Sequence, residues 1–214
     1  MSELPPYLRR LTSPWTLLSL VLALASGAQA DQLIQIPTAD RVRGATLEYL
    51  YRADGEKEGY GSLLFPAGLG FEVHVRHYNG LDRAYRFEGG GQLQILPDGI
   101  LTPGLSVGMW DVTNSSPWGR RAFVVITKAL DQERWPLPPL LNRAQVTLGV
   151  GTGRFWGPLA GVRADFPGRV TLVAEYDSRR LNAGFWWAPL KPVTLKAELQ
   201  NGNPFVGAEF RAPL

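Results

Sequence analysis

The sequence predicts an all-β protein, a single antiparallel up-and-down transmembrane β-barrel of about twelve strands, with ten to fourteen compatible with the pattern. Short stretches that alternate apolar and polar residues, each closed by Gly, Pro or Asn, fill the chain beyond its first thirty residues. An apolar leader precedes them. Aromatic residues crowd the expected strand ends. The clearest alternation runs Val193-Thr194-Leu195-Lys196-Ala197-Glu198-Leu199-Gln200. Period two puts Val, Leu, Ala and Leu on one face of a strand and Thr, Lys, Glu and Gln on the other. In a barrel within a membrane the apolar face meets lipid and the polar face lines the lumen.

The leader reads as a secretory signal over residues 1–30. Arg9 and Arg10 form its basic start, Thr16 to Ala25 its apolar core, and Ala28-Gln29-Ala30 a small-residue cleavage site. An apolar core of about ten residues falls well short of the roughly 20 that a spanning helix needs. Cleavage after Ala30 is expected, leaving one barrel domain, residues 31–214, in the bacterial outer membrane.

Composition narrows the function classes. Hydrophobic residues make up 45% of the chain and mean hydropathy is −0.08. Both are too polar for a helical membrane protein and natural for strands with alternate residues in lipid. There is no cysteine, which removes disulfides, thiolate chemistry and cysteine zinc sites. The chain has 22 basic and 19 acidic residues. No run of Lys and Arg makes the electrostatic stripe that a nucleic-acid backbone wants, so nucleic acid is discounted as a partner.

Strands are expected near 44–52, 60–65, 69–78, 84–96, 105–112, 121–129, 143–151, 159–166, 170–177, 182–187, 193–200 and 205–211. Pro66-Ala67-Gly68, Pro97-Asp98-Gly99, Pro167-Gly168 and Asn201-Gly202-Asn203-Pro204 mark turns between them. Pro136, Pro138 and Pro139 forbid both a helix and a central strand, so Asp131–Asn142 is read as an extended loop. Tyr60, Phe65, Tyr78, Trp118, Trp156, Phe166, Trp187 and Phe205 are the expected interfacial girdle. Phe210, which alternates with Val206 and Ala208, is the candidate closing aromatic of the last strand.

The polar faces supply the candidate site, a luminal cluster of Glu72, Arg76, Arg86, Glu88, Arg163, Asp165, Glu175, Asp177, Lys196, Glu198 and Glu209. Their opposite signs are expected to pair across the lumen, Arg163 with Glu175 for example, because an unpaired buried charge is costly. Large residues such as Trp110 and Trp186 are expected to narrow it further. A second candidate is a rim for lipopolysaccharide phosphates, formed by Arg120, Arg121, Arg179 and Arg180, since the planar guanidinium fork suits phosphate.

Other constellations carry less. His74 and His77, the two histidines, stand three apart on a strand and point to opposite faces, so they cannot share a metal. Ser62 and Ser106 have no spacing that marks an acyl-enzyme nucleophile. Glu175, Asp177 and Asn182 lack an EF-hand spacing and read as a polar rim and turn. Gly89-Gly90-Gly91 and Gly149-Val150-Gly151 lead into no P-loop lysine, so they read as sites of close backbone approach.

From Leu33 onward the chain resembles the YjbH-like bacterial β-barrel proteins. The likeness is carried by Ile34-Gln35-Ile36-Pro37-Thr38-Ala39 leading to Gly44-Ala45-Thr46-Leu47, and by Leu148-Gly149-Val150-Gly151-Thr152-Gly153-Arg154. It continues in Gly157-Pro158-Leu159-Ala160-Gly161-Val162 and in Ala174-Glu175-Tyr176-Asp177 with Asn182-Ala183-Gly184. The resemblance implies an outer-membrane barrel associated with exopolysaccharide production, in a compact single-barrel form, and it implies no catalytic residues. The expectation is therefore a non-enzymatic envelope protein without cofactor. Its partners would be outer-membrane lipid, lipopolysaccharide, and polysaccharide or other envelope proteins. Two rivals are a soluble periplasmic lipocalin-like barrel for an apolar ligand and, more weakly, a membrane-embedded lipid-modifying enzyme.

Overall fold

In the computed structural model, residues 33–40, 44–54, 59–66, 71–79, 86–115, 119–132 and 135–213 are described. Twelve antiparallel strands form one closed barrel. They are β1 (Gly44–Arg52), β2 (Gly59–Pro66), β3 (Phe71–Asn79), β4 (Arg86–Leu96), β5 (Gly104–Trp110) and β6 (Arg121–Asp131). The second half comprises β7 (Arg143–Gly151), β8 (Gly157–Phe166), β9 (Val170–Tyr176), β10 (Leu181–Leu190), β11 (Val193–Gln200) and β12 (Asn203–Pro213). Each strand pairs with its sequence neighbours, and β1 closes on β12 from Gly44↔Pro213 to Arg52↔Phe205. The only helical element among the described residues is a 3-10 turn at Gly153–Phe155.

The expected alternation sets the register. On β11, Leu195, Ala197 and Leu199 are exposed while Lys196, Glu198 and Gln200 are buried. On β1, Leu47, Tyr49 and Tyr51 point out, and Thr46, Glu48 and Leu50 point in. Exposed apolar side chains recur around the wall, among them Phe87, Ile95, Val124, Leu148, Val162, Leu172, Phe185 and Val206. The outer surface is thus apolar and the interior holds the charges, the inverse of a soluble sheet.

The turns are compact where the sequence marks them. Asn201 and Gly202 both have positive φ, 54° and 84°, and Gln200 pairs directly with Asn203. Two left-handed central residues fit the twist of a hairpin, which explains an Asn-Gly pair at this point. Pro167-Gly168 turns β8 into β9, and Phe166 pairs with Val170. The turn expected at residues 66–68 extends beyond the described residues after Pro66. The proline-bearing connection after β6 is irregular over residues 135–142, as expected.

Two aromatic positions depart from the girdle. Tyr60 is buried inside the barrel, where its ring packs against Phe205 with centroids 6.2 Å apart. Both lie on the inward alternation of their strands, and that parity overrides their location at strand ends. Trp156 and Trp187 do face outward and are exposed. Trp118 and the side chains of Phe65 and Tyr78 lie outside the described residues.

The interior also holds a segment of chain that the strand pattern did not anticipate. Residues 33–39 are buried, with Ile36 and Ala39 fully enclosed. They belong to no strand of the barrel. This short stretch, interrupted by Pro37, has no sustained alternation, so nothing in its pattern distinguishes an inserted segment from a linker.

Candidate functional site: the barrel lumen

The end of the barrel where β1 begins and β12 finishes is called the near end, and the opposite end the far end. Residues 33–40 enter the interior from the near end. The Leu33 N–H donates to the Ile36 carbonyl at 3.1 Å, so the chain reverses tightly at Ile34 and Gln35. The tip of this reversal is organised by one side chain. Glu175, next to the far end of β9, accepts the backbone N–H of Ile34 (2.9 Å), Gln35 (2.7 Å) and Ile36 (3.2 Å). Asn182 Nδ2 donates to the same carboxylate at 2.9 Å. A buried carboxylate surrounded by such donors has its hydrogen-bonding capacity met without a cation.

Below the tip the wall continues to read backbone. Gln92 Nε2 donates to the Thr38 carbonyl at 3.0 Å, and Gln94 Nε2 to the Ala39 carbonyl at 2.7 Å. The Ala39 N–H donates to Thr127 Oγ1 at 2.8 Å. Asp40 closes the near end through an ion pair with Arg143 at 3.2 Å. Burial raises the Asp40 carboxyl above its ordinary range, and Arg143 opposes that rise.

Strand glycines make the room. A Cβ at Gly161 would run into the Leu33 side chain and lie 3.1 Å from Ile36 Cδ1, while one at Gly184 would lie 3.2 Å from Ile34 Cδ1. The Gly89-Gly90-Gly91 run has a related purpose. A Cβ at Gly90 would come within 2.9 Å of Trp110 Cδ1, and closer still to the backbone of β5. The glycine lets the indole lie against the wall, as close approach rather than phosphate binding requires.

The far half of the lumen is filled by rings. Trp110, Phe123 and Phe155 meet edge to face at centroid distances of 5.5–6.3 Å, and His74 packs on Trp110 at 5.2 Å. Neither His74 nitrogen has a hydrogen-bond partner, so no serine is engaged with it. Ser62 instead lies near Glu48, and Ser106 near the Ala39 carbonyl. His77 points the other way and packs on Phe87. Among the described residues no group of three or more His, Asp or Glu is placed to hold a metal ion.

The predicted luminal charges are distributed as follows. Arg76, Glu88, Glu175, Lys196, Glu198 and Glu209 are buried inside, and Asp177 is buried just beyond β9. Arg163 and Asp165 are half-buried on the inner face of β8. The side chains of Glu72 and Arg86 lie outside the described residues. Lys196 bridges Glu48 and Glu209, the latter at 2.6 Å, and Arg211 also pairs with Glu209. Glu198 accepts hydrogen bonds from Trp186 Nε1 (2.7 Å) and Gln200 Nε2 (2.6 Å).

Two expected roles are corrected. Arg163 pairs along its own strand with Asp165 at 2.9 Å, because Glu175 is occupied by the inserted backbone. Arg121 is not on the rim. As the first residue of β6 it points inward, is 2% exposed and pairs with Glu88, with its guanidinium 5.3 Å from the Trp110 ring centroid. Its neighbour Arg120 has the opposite parity and is exposed, as are Arg179 and Arg180. Asp177 forms the β9–β10 turn by accepting the N–H groups of Arg179 (3.1 Å) and Arg180 (2.9 Å), so it serves the turn rather than a bound ion.

The arrangement can hold a segment of backbone and keep paired charges out of water. Sequence reasoning missed the inserted segment. Its available signal was the pair of inward-parity glycines, Gly161 on β8 and Gly184 on β10, on the two strands that flank β9 and its inward acid Glu175. The chain matches no known family model, and no curated protein is similar to it.

Proposed function

We propose that the mature chain is a non-enzymatic outer-membrane β-barrel protein, closed at rest, that serves the cell envelope or its surface polysaccharide through its rims and partners. The observation that carries this reading is the inverted alternation of a closed barrel, apolar outside and charged inside. An apolar surface running around a barrel is far larger than the few hundred Å² that soluble monomers normally expose. A lipocalin-like barrel would turn its apolar faces inward around a ligand, whereas these face outward and the interior is occupied. The polysaccharide part of the proposal is supported by the resemblance to the YjbH-like group alone.

Fractionation tests the location. The protein should sediment with outer membranes, start at Asp31, need detergent for extraction and migrate differently on gels before and after boiling. Recovery as a soluble periplasmic species would sink the proposal.

Arg120, Arg179 and Arg180 remain candidates for lipopolysaccharide phosphate at the far end. Replacing all three with Gln should lower the lipopolysaccharide that co-purifies while leaving the heat-modifiable band intact. Unchanged retention would reduce them to ordinary loop charge. Arg121→Gln should behave differently and destabilise the barrel, because its partner Glu88 is buried.

A further inference from the structure

We propose that residues 33–40 are a removable stopper, and that the barrel is a channel for small polar solutes which opens when this segment is drawn out through the near end. The proposal rests on the membrane reading above. The barrel ladder closes completely without the segment, so its departure breaks no strand pairing. No cysteine ties it in place.

The segment's backbone is held by polar side chains of the wall. Glu175, Gln92, Gln94 and Thr127 meet the segment through hydrogen bonds to its backbone. Carboxylate, amide and hydroxyl groups lose little when water replaces such partners. The segment's apolar side chains, Leu33, Ile34, Ile36 and Ala39, belong to one cluster with Trp110, Phe123 and Phe155, and this packing holds the stopper at rest. Arg143 would lose its partner Asp40, while the Lys196 group would stay in order. Lys196 is held by Glu48 and Glu209 from the neighbouring walls, without help from the segment. A channel thus vacated would present amide and hydroxyl groups, the Glu175 acid and the Arg143 cation beside apolar Val125, Leu159 and Val173, polar groups enough to pass small polar solutes.

At rest the segment stays in. Leu33, Ile34 and Ile36 are buried, and the charge on Glu175 faces three N–H groups. Glu175→Gln removes that charge with little change of shape, so it should shift the population toward the open state about tenfold or more.

The experiment joins this variant to a removable lock. A Cβ at position 104 would lie 3.3 Å from the Ala39 Cβ, close to the roughly 3.5–4.5 Å Cβ separation of disulfides. Ala39→Cys with Gly104→Cys can therefore pin the segment when oxidised. In planar bilayers the unmodified protein should be silent and Glu175→Gln should conduct steadily. The cysteine pair in the Glu175→Gln background should be silent when oxidised and conduct on reduction. Conductance that persists in the oxidised form, or Glu175→Gln protein that runs as a folded heat-modifiable barrel yet stays silent, would overturn the stopper. A second readout needs no membrane. In detergent, Ala39→Cys alone should react with a thiol reagent about tenfold faster when Glu175→Gln is added, and an unchanged rate would also overturn the proposal. Faster labelling of a protein that never enters bilayers would instead uphold the stopper and refute the membrane reading.

Discussion

Replacing Glu88 with alanine should destabilise the folded barrel by about 3–5 kcal/mol, because it leaves a buried guanidinium without its counter-charge. Glu88 is fully buried and Arg121 is 2% exposed. Arg76 also faces Glu88 directly across the β3–β4 ladder, so the carboxylate stands between two cations. Its removal therefore adds repulsion to desolvation. The shift should appear as a lower urea midpoint at unchanged slope for the detergent-solubilised or lipid-reconstituted protein. Combining Glu88→Ala with Arg121→Met should recover much of the loss, since an apolar pair of suitable volume can replace a buried ion pair at little cost. An effect of Glu88→Ala below about 1 kcal/mol would mean the lumen is wet enough to screen the charges, as exposed pairs are.

Leu195→Arg should be nearly as damaging and for a different reason. Leu195 lies mid-strand on the outer face of β11 and is 43% exposed. A charge there would sit in hydrocarbon, costing about 2–4 kcal/mol near the bilayer midplane. Thr194→Arg, one residue away, places the same charge on the inner face opposite Glu209, among the luminal ion pairs rather than in hydrocarbon. The pair differs in one step of chain and shares every propensity effect of arginine. Folding yield into lipid vesicles, read by heat-modifiable migration, should fall for Leu195→Arg and hold for Thr194→Arg. The reverse order would mean the barrel has been read inside out.

The barrel was legible because alternation and turn chemistry are local. The observed β1, β7 and β11 bounds coincide with those expected from the sequence; β2, β6, β8, β10 and β12 extend by one to three residues, β5 and β9 stop short, and the expected first residues of β3 and β4 lie outside the described residues. Inward parity also placed most of the charged cluster. What escaped were properties that depend on which residue lies across the lumen. Arg120 and Arg121 form one doublet in the sequence, yet the strand starts between them, so one is exposed and the other is among the most buried side chains in the molecule. Tyr60 resembled a girdle residue by position and is luminal by parity. Glu175 looked like a partner for Arg163, but its ligands are three backbone amides separated from it by more than a hundred residues of sequence. Backbone donors have no sequence signature, and the segment that supplies them carries no periodicity.

On the proposed reading, this chain turns its apolar face to lipid and its charges inward around an inserted segment. A cysteine scan of β11 tests it most directly, because the chain has no cysteine of its own. Each residue from Val193 to Gln200 would be replaced in turn, labelled with an environment-sensitive fluorophore, and reconstituted into vesicles containing brominated lipid. Quenching should alternate with period two, strong at Leu195, Ala197 and Leu199 and weak at Thr194, Lys196 and Glu198. Strong quenching on the Lys196 face, or a signal without alternation, would contradict the account.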